Sequence, residues 1–227
     1  MHVISIESEA EFRALSEEWA QLLAQCPGRH FFHDFAWMWL SWERVARTQG
    51  RKLLVITVRD ESKLVALLPL TTSGRVGMFL HADIFEYRDL HLLPGVEAAR
   101  VCELIRDFLK QDRQVDLLHL RNVRLPSYIE DLVGPDLDSY SRHESRSAVI
   151  RLDRFDSWED YSATLSKKLM ADQRRQWRRI RERFPGLECR LLTQPEKVHA
   201  SIGWMMAEKA KWLHQKRKLP PMASVSS

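Results

Sequence analysis

Four polar residues in a row, Glu86-Tyr87-Arg88-Asp89, sit at the start of an apolar run. Carboxylates and phenols take up and return protons beside a reacting centre, so Glu86, Tyr87 and Asp89 form a candidate acid–base set. The competing account is a solvated turn with a half-buried tyrosine, because charged clusters ordinarily face water. His30, His33 and Asp34 suggest a second acid–base or metal set. Asp34 is more simply explained as a helix N-cap, and two histidines three apart outside a helix make poor metal ligands. No metal is therefore expected. His81, His91 and His119 are isolated in the chain, and His119 reads as a packed residue of a buried strand. No Ser-His-Asp or Cys-His order stands out, and there is no CxxC.

Two further groups of residues could bind rather than react. Trp37, Trp39 and Trp42 crowd one short stretch. Indoles at helical spacing fill a core well, and on that basis Trp37 and Trp42 face inward while Trp39 is the exposed candidate for stacking on a substrate. From Ser166 to Phe184 the chain holds eight basic residues against Asp172 and Glu182, a local net charge of +6 in a chain of only +4. At ~100° per residue, Leu169, Gln173, Trp177, Ile180 and Phe184 share one face and most of the cations lie opposite, which predicts an amphipathic helix. Arg174, Arg175 and Arg178 are its candidate anion or substrate ligands, since the planar guanidinium forks onto phosphate and carboxylate. A solvated face laced with ion pairs is the competing account. A general nucleic-acid surface is disfavoured, because the rest of the chain is net negative and no nucleic-acid-reading motif is present.

The elements that must position these residues follow from periodicity and caps. His2–Ile6 reads as a strand. Ser8 and Glu11 form a capping box for a helix whose seam is Phe12, Leu15, Trp19, Leu22 and Leu23, stopped by Pro27-Gly28. A helix over 35–46 starts from Asp34. Leu53–Val58 and Leu64–Leu70 read as a hairpin, with further strand expected at Val76–Leu80 and Tyr87–Leu92. Val101, Leu104, Ile105, Phe108 and Leu109 give a helical seam over 97–112, and Val115–Leu120 a buried strand. Ser127 with Glu130, Ser157 with Asp160, and Thr193 with Glu196 are further caps. Ala148–Leu152 and Leu187–Leu192 read as strands. The last helix turns Val198, Ile202, Met205, Met206 and Leu213 inward, and residues 216–227 form a disordered tail. This order is α+β with a mixed sheet.

The 227 residues and 44% hydrophobic content fit a water-soluble globular chain. No apolar run approaches the ~20 residues of a membrane span. The first residues lack a signal-peptide pattern. Three scattered cysteines make neither a disulfide framework nor a metal motif, which together point to the cytoplasm.

The stretches FFHDFAWMWLSWE, KLVALLPL, FEYRDLHLL and SKKLMADQRRQWRRIRERFPGLECRLL together resemble the GNAT-fold acetyltransferases of the cellulose-biosynthesis, CelD-like type, relatives of the FemABX peptidoglycan aminoacyltransferases. The resemblance covers about residues 8–215. It implies a GNAT-like mixed sheet flanked by helices over 1–153 and a linker with the basic helix over 154–186. It further implies the first strand and helix of an incomplete second GNAT-like half over 187–215. It also implies acetyl-CoA or another acyl-CoA as cofactor, and as acceptor an amine or hydroxyl of a polysaccharide or peptidoglycan precursor. The basic helix would then face an acyl-CoA phosphate, a nucleotide-linked sugar or a tRNA backbone. No motif in the chain itself supports the cofactor. The turn Leu93–Ala98, LPGVEA, stands where the pyrophosphate would bind. It has one glycine and places Glu97 to repel phosphate. Two alternatives stay open: a catalytically incomplete binding module that self-associates through the partial second half, and an aminoacyl-tRNA-dependent transferase of the FemABX kind.

Overall fold

The computed structural model describes residues 1–80, 88–123, 125–133 and 149–216. Two compact units divide the chain, Met1–Ser141 and Arg142–Ser227. Glu86 and Tyr87 fall outside the described residues, as do His81, Ala148 and residues 217–227.

The first unit is α+β, a mixed and mostly antiparallel sheet flanked by helices. Its spine is the hairpin of β2 (Lys52–Asp60) and β3 (Lys63–Ser73), paired antiparallel from Lys52↔Thr72 to Asp60↔Lys63. Both strands are buried along almost their whole length, the pattern of strands covered on both faces. β1 (His2–Ile6) adds antiparallel to the outer side of β2. On the other side, β3 carries two short partners in succession, β4 (Val76–Phe79) and β5 (His91–Leu92). β6 (Leu117–His119) then runs parallel to β4.

The helices form where caps and seams predict them. Ser8 and Glu11 close a capping box ahead of α1 (Glu9–Ala14), and α2 (Ser16–Gln25) follows. Phe12, Leu15, Trp19, Leu22 and Leu23 are all buried, so the two helices share one seam. α3 (Phe35–Ser41) continues as a π-turn over Trp42–Ala46. Asp34 occupies its N-cap position but makes no cap bond, because Arg29 holds the carboxylate at 2.9 Å. α4 (Ala98–Asp112) buries Val101, Ile105 and Leu109 and packs on β1 and β2, while α2 packs on β3 and β5. α5 (Tyr128–Leu132) begins at a Ser127–Glu130 capping box and lies against α4.

Pro69 shapes the edge of β3. In an antiparallel ladder the N–H and C=O of one residue serve the same neighbour. The Pro69 carbonyl accepts from the Leu80 N–H at 3.0 Å, so its missing donor faces that same side. The ladder breaks here: two residues further along β3, Leu67 already pairs with His91. Proline is thus tolerated inside a central strand because its partner strand ends beside it.

The second unit holds α6 (Trp158–Ala163), α7 (Lys167–Arg183) and α8 (Pro195–Gln215). Ser157 and Ser166 cap α6 and α7 through their hydroxyls.

Several expected elements differ. Residues 187–193 form no strand, and 149–151 are irregular before a 3-10 turn at Leu152–Arg154. A strand needs a neighbour to satisfy its backbone, and neither segment has one among the described residues. The Thr193–Glu196 cap is replaced by Gln194 at the N-cap with Pro195 in the first turn, which needs no donor there. The inward face of α8 is not inward: Leu213 is buried, but Ile202, Met205 and Met206 are exposed. In β6, Leu117 and His119 are exposed, correcting the buried reading of that strand. The cause is position, since β6 ends the path of the sheet and receives pairing from β4 alone.

Where β6 meets β4, Gly77 is required by space: a Cβ there would lie 2.8 Å from Leu118 Cδ2 and 3.1 Å from Val115 Cγ1. Gly77→Ala is expected to lower stability by ~1–3 kcal/mol through overpacking, Gly77→Val by more. A Leu118→Ala background should return part of the loss. Urea unfolding of the three variants checks the order.

Candidate functional site

The residues that lead into β5 line a cleft of about 260 Å³ in the first unit. Its polar lining comes from three places in the chain: Cys26 and Arg29 after α2, His33 in the 3-10 turn before α3, and Arg88, Asp89 and His91 leading into β5. Leu125, Pro126 and Tyr128 close it. The volume lies just under the ~300 Å³ lower end for small-molecule sites, so it admits a reacting group rather than a whole cofactor.

Each polar residue is held by a specific contact. The Trp19 indole, fully buried, donates to the His33 carbonyl at 2.9 Å and pins the turn that carries His33. His33 Nδ1 accepts from the His30 backbone N–H at 3.4 Å, which places the neutral ring's proton on Nε2. The His33 and His91 rings lie 4.6 Å apart, both nearly buried. Arg88 is 1% exposed and donates to the Arg121 carbonyl at 3.2 Å. Its backbone also bridges to Val123 in parallel.

Asp89 is tied into the wall. It accepts from the Ser127 hydroxyl at 2.7 Å and from the Leu90 N–H at 2.8 Å. Burial pushes its carboxyl above the usual range, and the Ser127 hydroxyl and backbone N–H groups offset this in part. With Oδ1 accepting twice, Asp89 acts as the fastener between the strand end and α5. Burial raises the Cys26 thiol, which donates to the Leu92 carbonyl at 3.3 Å, and pushes Cys102 up to about 11.

The structure therefore redistributes the residues singled out in the sequence. Asp89 lines the cleft, while Glu86 and Tyr87 lie outside the described residues. His33 joins His91 rather than a metal set with His30 and Asp34. Among the described residues no group of three or more His, Cys, Asp or Glu could hold a metal ion. Trp39 packs 5.8 Å from Phe12 with the Arg13 guanidinium 4.2 Å over its ring, so it belongs to the core's margin and not to the cleft. Trp42 is buried and donates to Glu9 at 3.1 Å, and that bond draws the Glu9 carboxyl below its usual range. Arg174 and Arg178 come together with Trp177 and Arg181 along a groove on α7, whereas Arg175 is paired with Asp172 at 2.7 Å. The Leu93–Ala98 turn does link a strand to a helix, β5 to α4. Gly95 there takes a positive φ of 82°, and Glu97 is the N-cap residue without a cap bond. Sequence reasoning missed His91 and Arg88. Asp89 and His91 do stand two apart, the spacing that shares one side of extended chain, and that was the available signal.

No protein-family model and no curated protein matches the chain. Among solved structures it is similar to a ribosomal-protein-alanine N-acetyltransferase from Brucella melitensis biovar Abortus 2308, at 16% identity over 63% of this chain and 98% of that one, TM-score 0.34. It is also similar to an aminoglycoside antibiotic 6'-N-acetyltransferase from Acinetobacter haemolyticus, at 13% identity over 65% of this chain and 100% of that one, TM-score 0.35. Likeness at this level carries no argument about chemistry, which has to come from the cleft.

The Asp89 carboxyl gives a signed pH test. Its raised pKa means the ionised form costs stability, fully so above the folded-state value, and the cost fades as pH falls toward the unfolded value of ~3.9. The wild type should therefore gain on Asp89→Asn as the solution is acidified from pH ~7 to ~4.5. Urea midpoints of both proteins at the two pH values show the sign directly; a wild type that loses ground on acidification contradicts the assignment.

Proposed function

We propose that the chain is an acyl-CoA-dependent acyltransferase, with the cleft lined by His33 and His91 receiving the acceptor's amine or hydroxyl. The observation that carries this reading is the His33–His91 pair, 4.6 Å apart and nearly buried where the sheet edge is interrupted. A neutral imidazole takes the proton from the acceptor as its nitrogen or oxygen bonds to the thioester carbonyl carbon. Collapse breaks the carbon–sulfur bond, and the departing thiolate takes up a proton, so no covalent enzyme intermediate is needed. The family resemblance of the four sequence stretches supports a polysaccharide or peptidoglycan precursor as that acceptor, in the manner of CelD-like transferases.

A second reading, a binding module without acyl-CoA chemistry, is favoured by Glu97. A carboxylate at the first turn of α4 stands where pyrophosphate would need bare N–H groups. Exposed Met205, Met206 and Trp212 on α8 would then serve self-association.

Titration calorimetry of the full chain with acetyl-CoA separates the two. Saturable heat supports the transferase, and none at ~1 mM ligand rejects it. In an assay reading release of the CoA thiol, His91→Gln should lower turnover by ~10²-fold or more with acetyl-CoA affinity unchanged.

A further inference from the structure

The α7 helix carries a surface that the acyl-transfer reading does not use. Leu169, Trp177, Ile180 and Phe184 are each 39–53% exposed, and they form one largely apolar strip interrupted by Gln173. At ~100° per residue the strip spans about a quarter of the helix circumference, with Arg174 and Arg181 along one border and Arg183 along the other. Arg181 lies 5.7 Å over the Trp177 ring and Arg183 5.5 Å over the Phe184 ring, so the guanidiniums rim the apolar surface without covering it. Of the helix's acids, Asp172 is spent on Arg175.

We infer that α7 is a docking helix for an anionic bilayer surface, lying in the headgroup plane with its apolar strip down and its arginines at the phosphates. Charge complementarity selects this occupant. A second copy of α7 would bring two helices of net charge +6 together with no acidic row to meet the arginines. A nucleic acid would neutralise the cations but leave Leu169, Trp177, Ile180 and Phe184 in water. A lipid surface takes up both halves of the pattern, a strongly cationic face beside Trp, Phe and Leu on a helix of low overall hydropathy. The helix does not cross the membrane, and among the described residues no helix is long and apolar enough to do so.

Flotation of the full chain with vesicles of phosphatidylglycerol and phosphatidylcholine tests this, with pure phosphatidylcholine vesicles and a duplex oligonucleotide as the other arms. The expected result is flotation with the anionic vesicles only, reduced about tenfold or more when salt rises from ~0.1 to ~0.5 M. The exposed-residue variant Ile180→Glu/Phe184→Glu should reduce it to a similar extent, and Arg174→Gln/Arg178→Gln should weaken it. Because all four positions are exposed, circular dichroism should show the variants folded; a variant that unfolds is replaced by Leu169→Gln, for which the same loss is expected. No flotation with anionic vesicles overturns the inference. So does duplex binding that exceeds vesicle binding and is indifferent to Ile180→Glu/Phe184→Glu.

Discussion

Pro69 has a carbonyl to offer its neighbour and no N–H, and much of the first unit follows from that asymmetry. The β2 side of β3 is paired from end to end, so the hairpin is continuous. The other side is served by β4 as far as Leu80 and by β5 from His91, with the break at the residue that cannot donate. An unbroken partner strand would have left an unmet acceptor opposite Pro69, at a cost of about 1–3 kcal/mol for a buried group. Breaking the strand removes that cost, and β5, preceded by Arg88 and Asp89, takes up the pairing from His91.

The cleft walls are held by buried polar contacts. Arg88 satisfies the Arg121 carbonyl, Asp89 fastens Ser127, and Trp19 holds the backbone of His33. Each is a group whose partner would be costly to lose in a dry interior, so the contacts work as constraints on geometry more than as sources of net stability.

How much of this was readable from the sequence depends on range. The α1–α2 seam, the α4 seam and the boxes at Ser8–Glu11 and Ser127–Glu130 are local patterns, and all were legible. The β2–β3 hairpin was legible because its two apolar runs flank a short polar turn. His33 and His91 were not legible as a pair, because nothing within either neighbourhood refers to the other. Their meeting depends on α2 packing over β5. Pro69 inside an apolar run could be read only as strand, since which side of β3 lacks a partner is a property of the sheet. The strand expected at Leu187–Leu192 failed for a related reason: alternation describes a chain able to pair, and pairing requires a neighbour.

The helices of the second unit show the same limit from the other direction. Periodicity in α7 and α8 marks an apolar face, and the usual step is to place that face against a core. In α4 the step holds, with Val101, Ile105 and Leu109 buried. In α7 it does not, since Leu169, Trp177, Ile180 and Phe184 remain exposed while capping and helix length are as expected. An amphipathic pattern reports only that a helix is able to separate two environments. Which environment meets the apolar side is decided by what else the helix carries. On α4, basic and acidic residues are mixed and the seam closes on β1 and β2. On α7, Arg174, Arg181 and Arg183 border the strip and the other cations lie opposite, a pattern that suits an occupant apolar at its centre and negative at its edge.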